Sequence, residues 1–282
     1  MTENHPLIAQ LGHGVSPESL THVRVVPARE AVHGPWPEWA HPEVVEAFAR
    51  SGADRPWLHQ VQAARQAHDG HHTIVATGTA SGKSLAYQLP TLDAVHRAAL
   101  DPTVTLEASG AVVLYLAPTK ALAADQQSAL NGLRLPTLKV ATYDGDTDPG
   151  ERRWIRDHAN FVLTNPDMLH FGILPNHPAW ARFFRRLTYV IVDEAHSYRG
   201  VFGSHVANLI RRLRRICEHY GANPVFIGAS ATSSEPGRSF GQLIGAEALE
   251  VTTDFSPHGQ TVVALWEPPL TESRGAVEIS PF

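Results

Sequence analysis

Residues 77–84 run Thr77-Gly78-Thr79-Ala80-Ser81-Gly82-Lys83-Ser84, and residues 190–196 run Val190-Ile191-Val192-Asp193-Glu194-Ala195-His196. The first segment offers small residues, then an ammonium and a hydroxyl. The second offers two adjacent carboxylates and an imidazole. A turn of small residues that feeds a helix aims backbone N–H groups, and the positive end of the helix dipole, at a phosphate. Lys83 then suits the β- and γ-phosphates of a nucleotide, and the Ser84 hydroxyl suits Mg²⁺. Asp193 suits the same ion, usually through water, while Glu194 suits the orientation and deprotonation of an attacking water. Binding of a nucleoside triphosphate and cleavage of its terminal phosphate is the chemistry implied.

The phosphate-loop pattern Gly-x-x-x-x-Gly-Lys-[Ser/Thr] is not met literally. Thr77 stands at the first Gly position, and Ala80 where a middle Gly is frequent, but Gly82-Lys83-Ser84 is intact. Each segment alone has an ordinary structural alternative: a strand-to-helix turn with an exposed lysine, or a helix-capping Asp-Glu pair. Their joint occurrence, 110 positions apart and each after an apolar β-branched run, favours the nucleotide site.

Those runs must be strands to place the two segments at one sheet edge. Continuous apolar character predicts core strands at Thr73–Ala76, Val112–Ala117, Leu138–Thr142, Phe161–Thr164, Tyr189–Asp193 and Val225–Ala229, with one more at Thr261–Leu265. Helices are expected at Glu43–Arg50 and Leu58–His68, and starting near Lys83, Lys120, Pro149, Pro166 and Ser204. The alternation predicts an α/β fold with a doubly wound, mainly parallel sheet, a RecA-like P-loop NTPase lobe. Residues 1–56, rich in Pro, Gly, His and Trp, read as an irregular N-terminal extension; 57–266 as the nucleotide-binding domain; 267–282 as a linker or tail.

At 282 residues, 43% hydrophobic and 18% charged, the chain has ample material for a core. No apolar stretch reaches the 18 residues a membrane span needs. The N-terminus lacks a basic segment followed by an apolar run, so a cytoplasmic location is expected. Cys217 is the single cysteine, which excludes an internal disulfide or a cysteine-based zinc cluster within this chain. A net charge of −5 argues against a globally basic nucleic-acid binder but not against a local phosphate track.

These segments resemble superfamily 2 helicases. Ala117-Pro118-Thr119-Lys120 through Gln126 is similar to motif Ia, Thr164-Asn165-Pro166-Asp167 through His170 to motif Ib, Asp193-Glu194-Ala195-His196 to the DEAH form of motif II, and Ser230-Ala231-Thr232 to motif III. Leu58-His59-Gln60 and the run His196–His205 resemble, more narrowly, the bacterial MrfA/YprA-like helicases, relatives of the RecQ-type fungal enzymes that act as 3′-to-5′ DNA helicases in repair of cross-linked DNA. The resemblance implies ATP and Mg²⁺ as ligands and Gln60 as the reader of the adenine edge. It implies phosphate contacts to single-stranded DNA, RNA not excluded, from Thr119, Lys120, Thr164 and Asn165, with Tyr143 a weaker candidate. It makes Ser230 and Thr232 the coupling residues and His196 a hydrogen-bonding relay. A second RecA-like lobe is the implied partner, without which the lobe is expected to bind nucleotide weakly, hydrolyse it very slowly and leave duplexes intact. An RNA helicase lobe of the DEAH type and a non-enzymatic nucleotide-dependent binding module remain alternatives. Arg211-Arg212-Leu213-Arg214-Arg215 reads as a solvated helix face, and Arg182–Arg186 is ambiguous.

Overall fold

The computed structural model describes residues 20–101, 103, 110–267, 270–273 and 276–279. Its strands are β1 (Leu20–Val26), β2 (Thr73–Ala76), β3 (Val112–Leu116), β4 (Val140–Thr142), β5 (Phe161–Thr164), β6 (Leu187–Val192), β7 (Val225–Ser230), β8 (Leu249–Val251), β9 (Thr261–Trp266), β10 (Leu270–Ser273) and β11 (Ala276–Ile279). The principal helices are α1 (Pro42–Arg50), α2 (Leu58–His68), α3 (Lys83–Leu100), α4 (Lys120–Gly132), α5 (Pro149–His158), α6 (Gly200–His219) and α7 (Pro236–Ile244).

Seven strands form one sheet in the order β4-β5-β3-β6-β7-β2-β8, and every pairing in it is parallel. This is the doubly wound α/β sheet that the apolar runs predict. Alternate residues of each strand feed opposite cores. Val113 and Tyr115 of β3, with Tyr189 and Ile191 of β6, pack on one face. Leu114 and Leu116, with Val190 and Val192, pack on the other. Burial of each such side chain is worth about 1.5–3 kcal/mol, so a strand hidden on both faces must be apolar throughout. Strand β7 lies between β6 and β2. The turn after β2 and the acids after β6 therefore flank the tip of β7.

The chain divides into two compact units. The larger runs from Val32 to Phe255, wider at its start than the expected boundary at 57. Pro-rich residues before α1 are ordered by aromatic contacts: Trp36 stacks on Phe48 at 5.9 Å, and Trp39 on His68 at 4.0 Å. The smaller unit comprises the chain up to Ala31 and from Ser256 onward. In it β1 pairs antiparallel with β9, Val26 opposite Thr261, and β10 pairs with β11. The lead-in is thus not wholly irregular and the tail not a plain linker. Residues 1–19, 268–269, 274–275 and 280–282 of those expected segments lie outside the described residues.

Two helices depart from expectation. The helix expected near Ser204 begins four residues earlier, at Gly200, whose positive φ of 60° turns the chain out of extended Arg199. The helix expected from Pro166 breaks into short turns: Pro166–Met168, a π turn at Leu169–Ile173, a 3₁₀ stretch at Leu174–Trp180 and Ala181–Arg185. Pro175 and Pro178, which lack an N–H, interrupt its ladder.

Candidate nucleotide site

The loop from Thr77 to Gly82 is closed by its own hydroxyls. Ser81 Oγ donates to Gly78 O at 2.7 Å, so the 2.6 Å contact between Thr77 Oγ1 and Ser81 Oγ has Thr77 as donor. Thr77 thus does what a glycine could not: it ties the two ends of the loop together. Both side chains are buried, while Thr79, Ala80, Gly82 and Ser84 face outward. Gly82 adopts a left-handed conformation at φ 60°, and a Cβ there would stand 2.6 Å from Gln60 Nε2 and 2.8 Å from Trp57. Ala80 takes the same region at φ 60° without being a glycine.

Helix α2 holds this loop from behind. His59 Nδ1 accepts from the Phe255 amide at 3.1 Å, which leaves Nε2 to donate to Ser81 O at 2.9 Å. Gln60 is 5% exposed. Its Oε1 accepts from Trp57 N at 2.7 Å and its Nε2 donates to Gly82 O at 2.8 Å. The amide therefore ties loop to helix, and keeps one donor hydrogen and one lone pair for a ligand. Beside it opens a hollow of about 740 Å³, bordered by His33, Arg55, Trp57, Gln60, Gly82 and Ser84, large enough for a nucleobase and its sugar.

Lys83 points back into the loop. Its Nζ donates to Gly78 O at 2.7 Å and to Thr77 O at 3.3 Å. Burial lowers its pKa, opposed by the negative charges of Glu194, Asp193 and Asp254. The acidic pair and Asp254 thus lie near enough for their charges to act on Lys83, although β7 separates β2 from β6. Asp193 is gripped from both sides: Tyr115 Oη donates to Oδ2, and the Glu194 amide donates to Oδ1 at 2.9 Å. Burial, together with Tyr87 and Asp193, drives the Tyr115 pKa far up, so its hydroxyl stays a donor. Tyr87 links Ser84 Oγ, at 3.3 Å, to Gln126 Oε1, at 3.2 Å. Ser84 hydroxyl and Asp193 carboxylate are hard oxygen donors of the kind Mg²⁺ takes. The donor set fits that ion.

Glu194 has a left-handed backbone, φ 47° and ψ 45°, which costs about 1–3 kcal/mol. Its Oε2 lies 3.2 Å from His196 Nδ1. The same ring nitrogen accepts from the Ala231 amide at 3.3 Å. The link from the acidic segment to the Ser230–Thr232 segment exists, but through the backbone of Ala231. Ser230 Oγ donates locally to Ala231 O, and Thr232 is exposed.

The four expected strand-contacting residues are otherwise engaged. Thr119 caps α4, accepting from the Leu122 amide at 3.3 Å, and Asn165 caps its turn, accepting from Met168 N at 2.8 Å. Lys120 is paired with Asp146 and lies 3.8 Å from Asp144. Thr164, 1% exposed, donates to Tyr143 O, and Tyr143 is itself buried against Trp180. Short polar side chains after strands cap helices as readily as they bind phosphates, and a capping oxygen that accepts a backbone N–H leaves the side chain's own hydrogens for a phosphate. The arginines of α6 also depart from a solvated face: Arg211 donates to Gln242 O at 3.1 Å and Arg214 to Ile244 O and Gly245 O at 3.0 and 2.7 Å, closing the C-terminal end of α7.

Sequence reasoning passed over Tyr115, Tyr87, Trp57 and Asp254. Tyr115 and Tyr87 carried a signal, a phenol at a position where strand or helix must be apolar, since a buried hydroxyl needs a partner. Asp254 lies in a loop with no pattern to mark it.

A parallel sheet with a Gly-Lys-Ser turn after one strand and paired acids after another defines a RecA-like P-loop lobe. Residues 57–239 match the DEAD/DEAH box helicase family. The chain belongs to that family. It is 42% identical over 256 residues to the uncharacterized ATP-dependent helicase YprA of Bacillus subtilis (strain 168), covering 90% of this chain and 33% of that protein. It is 39% identical over 259 residues to the ATP-dependent helicase HRQ1 of Saccharomyces cerevisiae, covering 89% and 23%. Among solved structures, the DUF1998 helicase MrfA bound to DNA and AMPPNP superimposes with a TM-score of 0.85 at 40% identity, over 94% of this chain and 36% of that one. The chain thus spans a third or less of these two curated relatives.

Proposed function

We propose that this chain is the ATP-binding motor lobe of an ATP-dependent DNA helicase, which works with a second RecA-like lobe on single-stranded DNA. The observation that carries the reading is that the Lys83 turn after β2 and the acids Asp193 and Glu194 after β6 flank the tip of β7, with both acids near enough to act on the Lys83 charge. It is supported by the likeness to MrfA, a protein solved with DNA and AMPPNP. Lys83 holds the β- and γ-phosphates, and the backbone of residues 78–82 cradles them. Gln60 and the hollow beside Trp57 take the base. Ser84 and Asp193 would hold Mg²⁺, which would supply positive charge beside the phosphates. Glu194 orients a water and takes its proton. His196 relays the state of that site to Ala231 at the tip of β7. Movement 3′-to-5′, a role in DNA repair and a cytoplasmic location complete the proposal.

The test is ATP hydrolysis by the protein carrying both lobes, with matched DNA and RNA oligonucleotides as activators. DNA is expected to stimulate more strongly. Glu194→Gln should keep nucleotide binding and lose about 10²–10⁴ in rate, the usual worth of a general base, while Lys83→Ala should lose both. Hydrolysis unaffected by either change would leave only a nucleotide-dependent binding module.

A further inference from the structure

Helix α6 sends its arginines to two sides. Arg211 and Arg214 close the end of α7, whereas Arg212 and Arg215 line a groove against the turns that start at Pro166. The groove encloses about 520 Å³. Two rings stand bare in its walls: Phe171 is 72% exposed and Phe202 47%. Arg212 Nη1 donates to His170 Nδ1 at 3.4 Å, so a neighbouring side chain holds the guanidinium in place. The His170 ring meets Phe171 edge-to-face at 4.4 Å. Among the described residues neither Arg212 nor Arg215 has a carboxylate within salt-bridge distance. One acid, Asp167, lines the groove. A second hollow of about 470 Å³ continues along α6, shares both arginines and adds His177 and His219.

We infer that this groove takes a stretch of single-stranded nucleic acid, with Phe171 and Phe202 stacking against bases and Arg212 and Arg215 meeting phosphates. The inference rests on the motor-lobe reading for its ligand class. Charge chooses the occupant: a chain of net charge −5 here places two cations beside two bare rings, and a polyanion with flat faces matches both. A lone solvated helix face would not need the rings in water or the guanidinium tethered. The groove opens directly after Thr164 and Asn165. It would extend the strand track expected at those two side chains.

The test is fluorescence anisotropy of a labelled oligothymidylate with the 282-residue chain over a range of salt, beside binding of a magnesium–ATP analogue. Phe171→Ala should weaken strand binding about tenfold at every salt, as loss of one stacked base does. Arg212→Ala with Arg215→Ala should reduce the slope of log K against log salt by about 1.4, at roughly 0.7 per phosphate on a single strand. The corresponding double change to Lys should keep the slope. Oligonucleotides carrying 5-iodouracil should photo-crosslink to the peptide containing Phe171. Nucleotide binding should be unchanged throughout. Strand binding equal to wild type in these variants, crosslinks confined to other peptides, or no strand binding by the wild-type chain would overturn the inference and leave the groove to a protein ligand. Loss of nucleotide binding in the wild type, with the strand effects intact, would instead sink the ATP reading alone.

Discussion

The Nδ1 atom of His196 accepts a hydrogen bond from the Ala231 amide at 3.3 Å, and the same atom lies 3.2 Å from the Glu194 carboxylate. These contacts demand opposite states. Ala231 needs a bare ring nitrogen, whereas Glu194 needs it to carry a proton. One atom therefore stands between the acid proposed to activate water and the strand end that flanks the loop.

Replacing His196 with Ala should release the Ala231 amide. Its hydrogen exchange, followed by NMR, is expected to quicken about fivefold, the equivalent of ~1 kcal/mol for one hydrogen bond. Unchanged protection at Ala231 would show that the contact carries no energy.

Ala80 and Gly82 share a φ of 60°, but only one is a glycine. Ala80→Gly should relieve about 1 kcal/mol of backbone strain, partly offset by the freer unfolded chain, and raise the melting temperature by about 1–3 °C. Gly82→Ala should do the reverse and weaken nucleotide binding, because its Cβ would stand 2.6 Å from Gln60 Nε2. Calorimetry of both variants checks the two signs.

Lys83 supplies a pH test. Burial holds its pKa below the ordinary 10.5, so the folded state sheds the proton before the unfolded state does. Below the lowered value both states are charged, and folding bears the cost of burying the ammonium. As pH rises toward 10.5 that cost fades, and above it both states are neutral. Lys83→Met should therefore be more stable than wild type at neutral pH, with the gain shrinking toward pH 10.5 in denaturant titrations. A variant less stable at neutral pH would reverse the sign.

Cys217 lies on the buried face of α6, and burial pushes its thiol up to about 12. The thiolate is the reactive form, so a disulfide reagent should leave the native chain unlabelled and modify it fully once unfolded. Rapid labelling of the native chain would place Cys217 outside the core.

The parts of this fold that the sequence announces are those where one local rule suffices. β2 and β5 are hidden on both faces and read as unbroken apolar runs. Gly82-Lys83-Ser84 and Asp193-Glu194 stand out because few residue types can do their work. β1 does not show itself because none of its residues is fully buried and its partner β9, which does read as an apolar run, lies more than 230 positions away. β8 spans three residues, Leu249–Val251, too few to show any period. Thr119, Asn165 and Ser230 are harder to read for another reason: a short hydroxyl or amide serves a helix cap, a backbone carbonyl or a phosphate equally well.

The central claim is that the loop at Lys83 and the acids at Asp193 and Glu194 form one nucleotide site. Calorimetric titration of the 282-residue chain with a non-hydrolysable ATP analogue tests it most directly. Binding should require magnesium, fall at least tenfold in Lys83→Ala, and lose its magnesium dependence in Asp193→Asn. Equal binding by the wild type and Lys83→Ala, or an Asp193→Asn variant that responds to magnesium as the wild type does, would contradict the account.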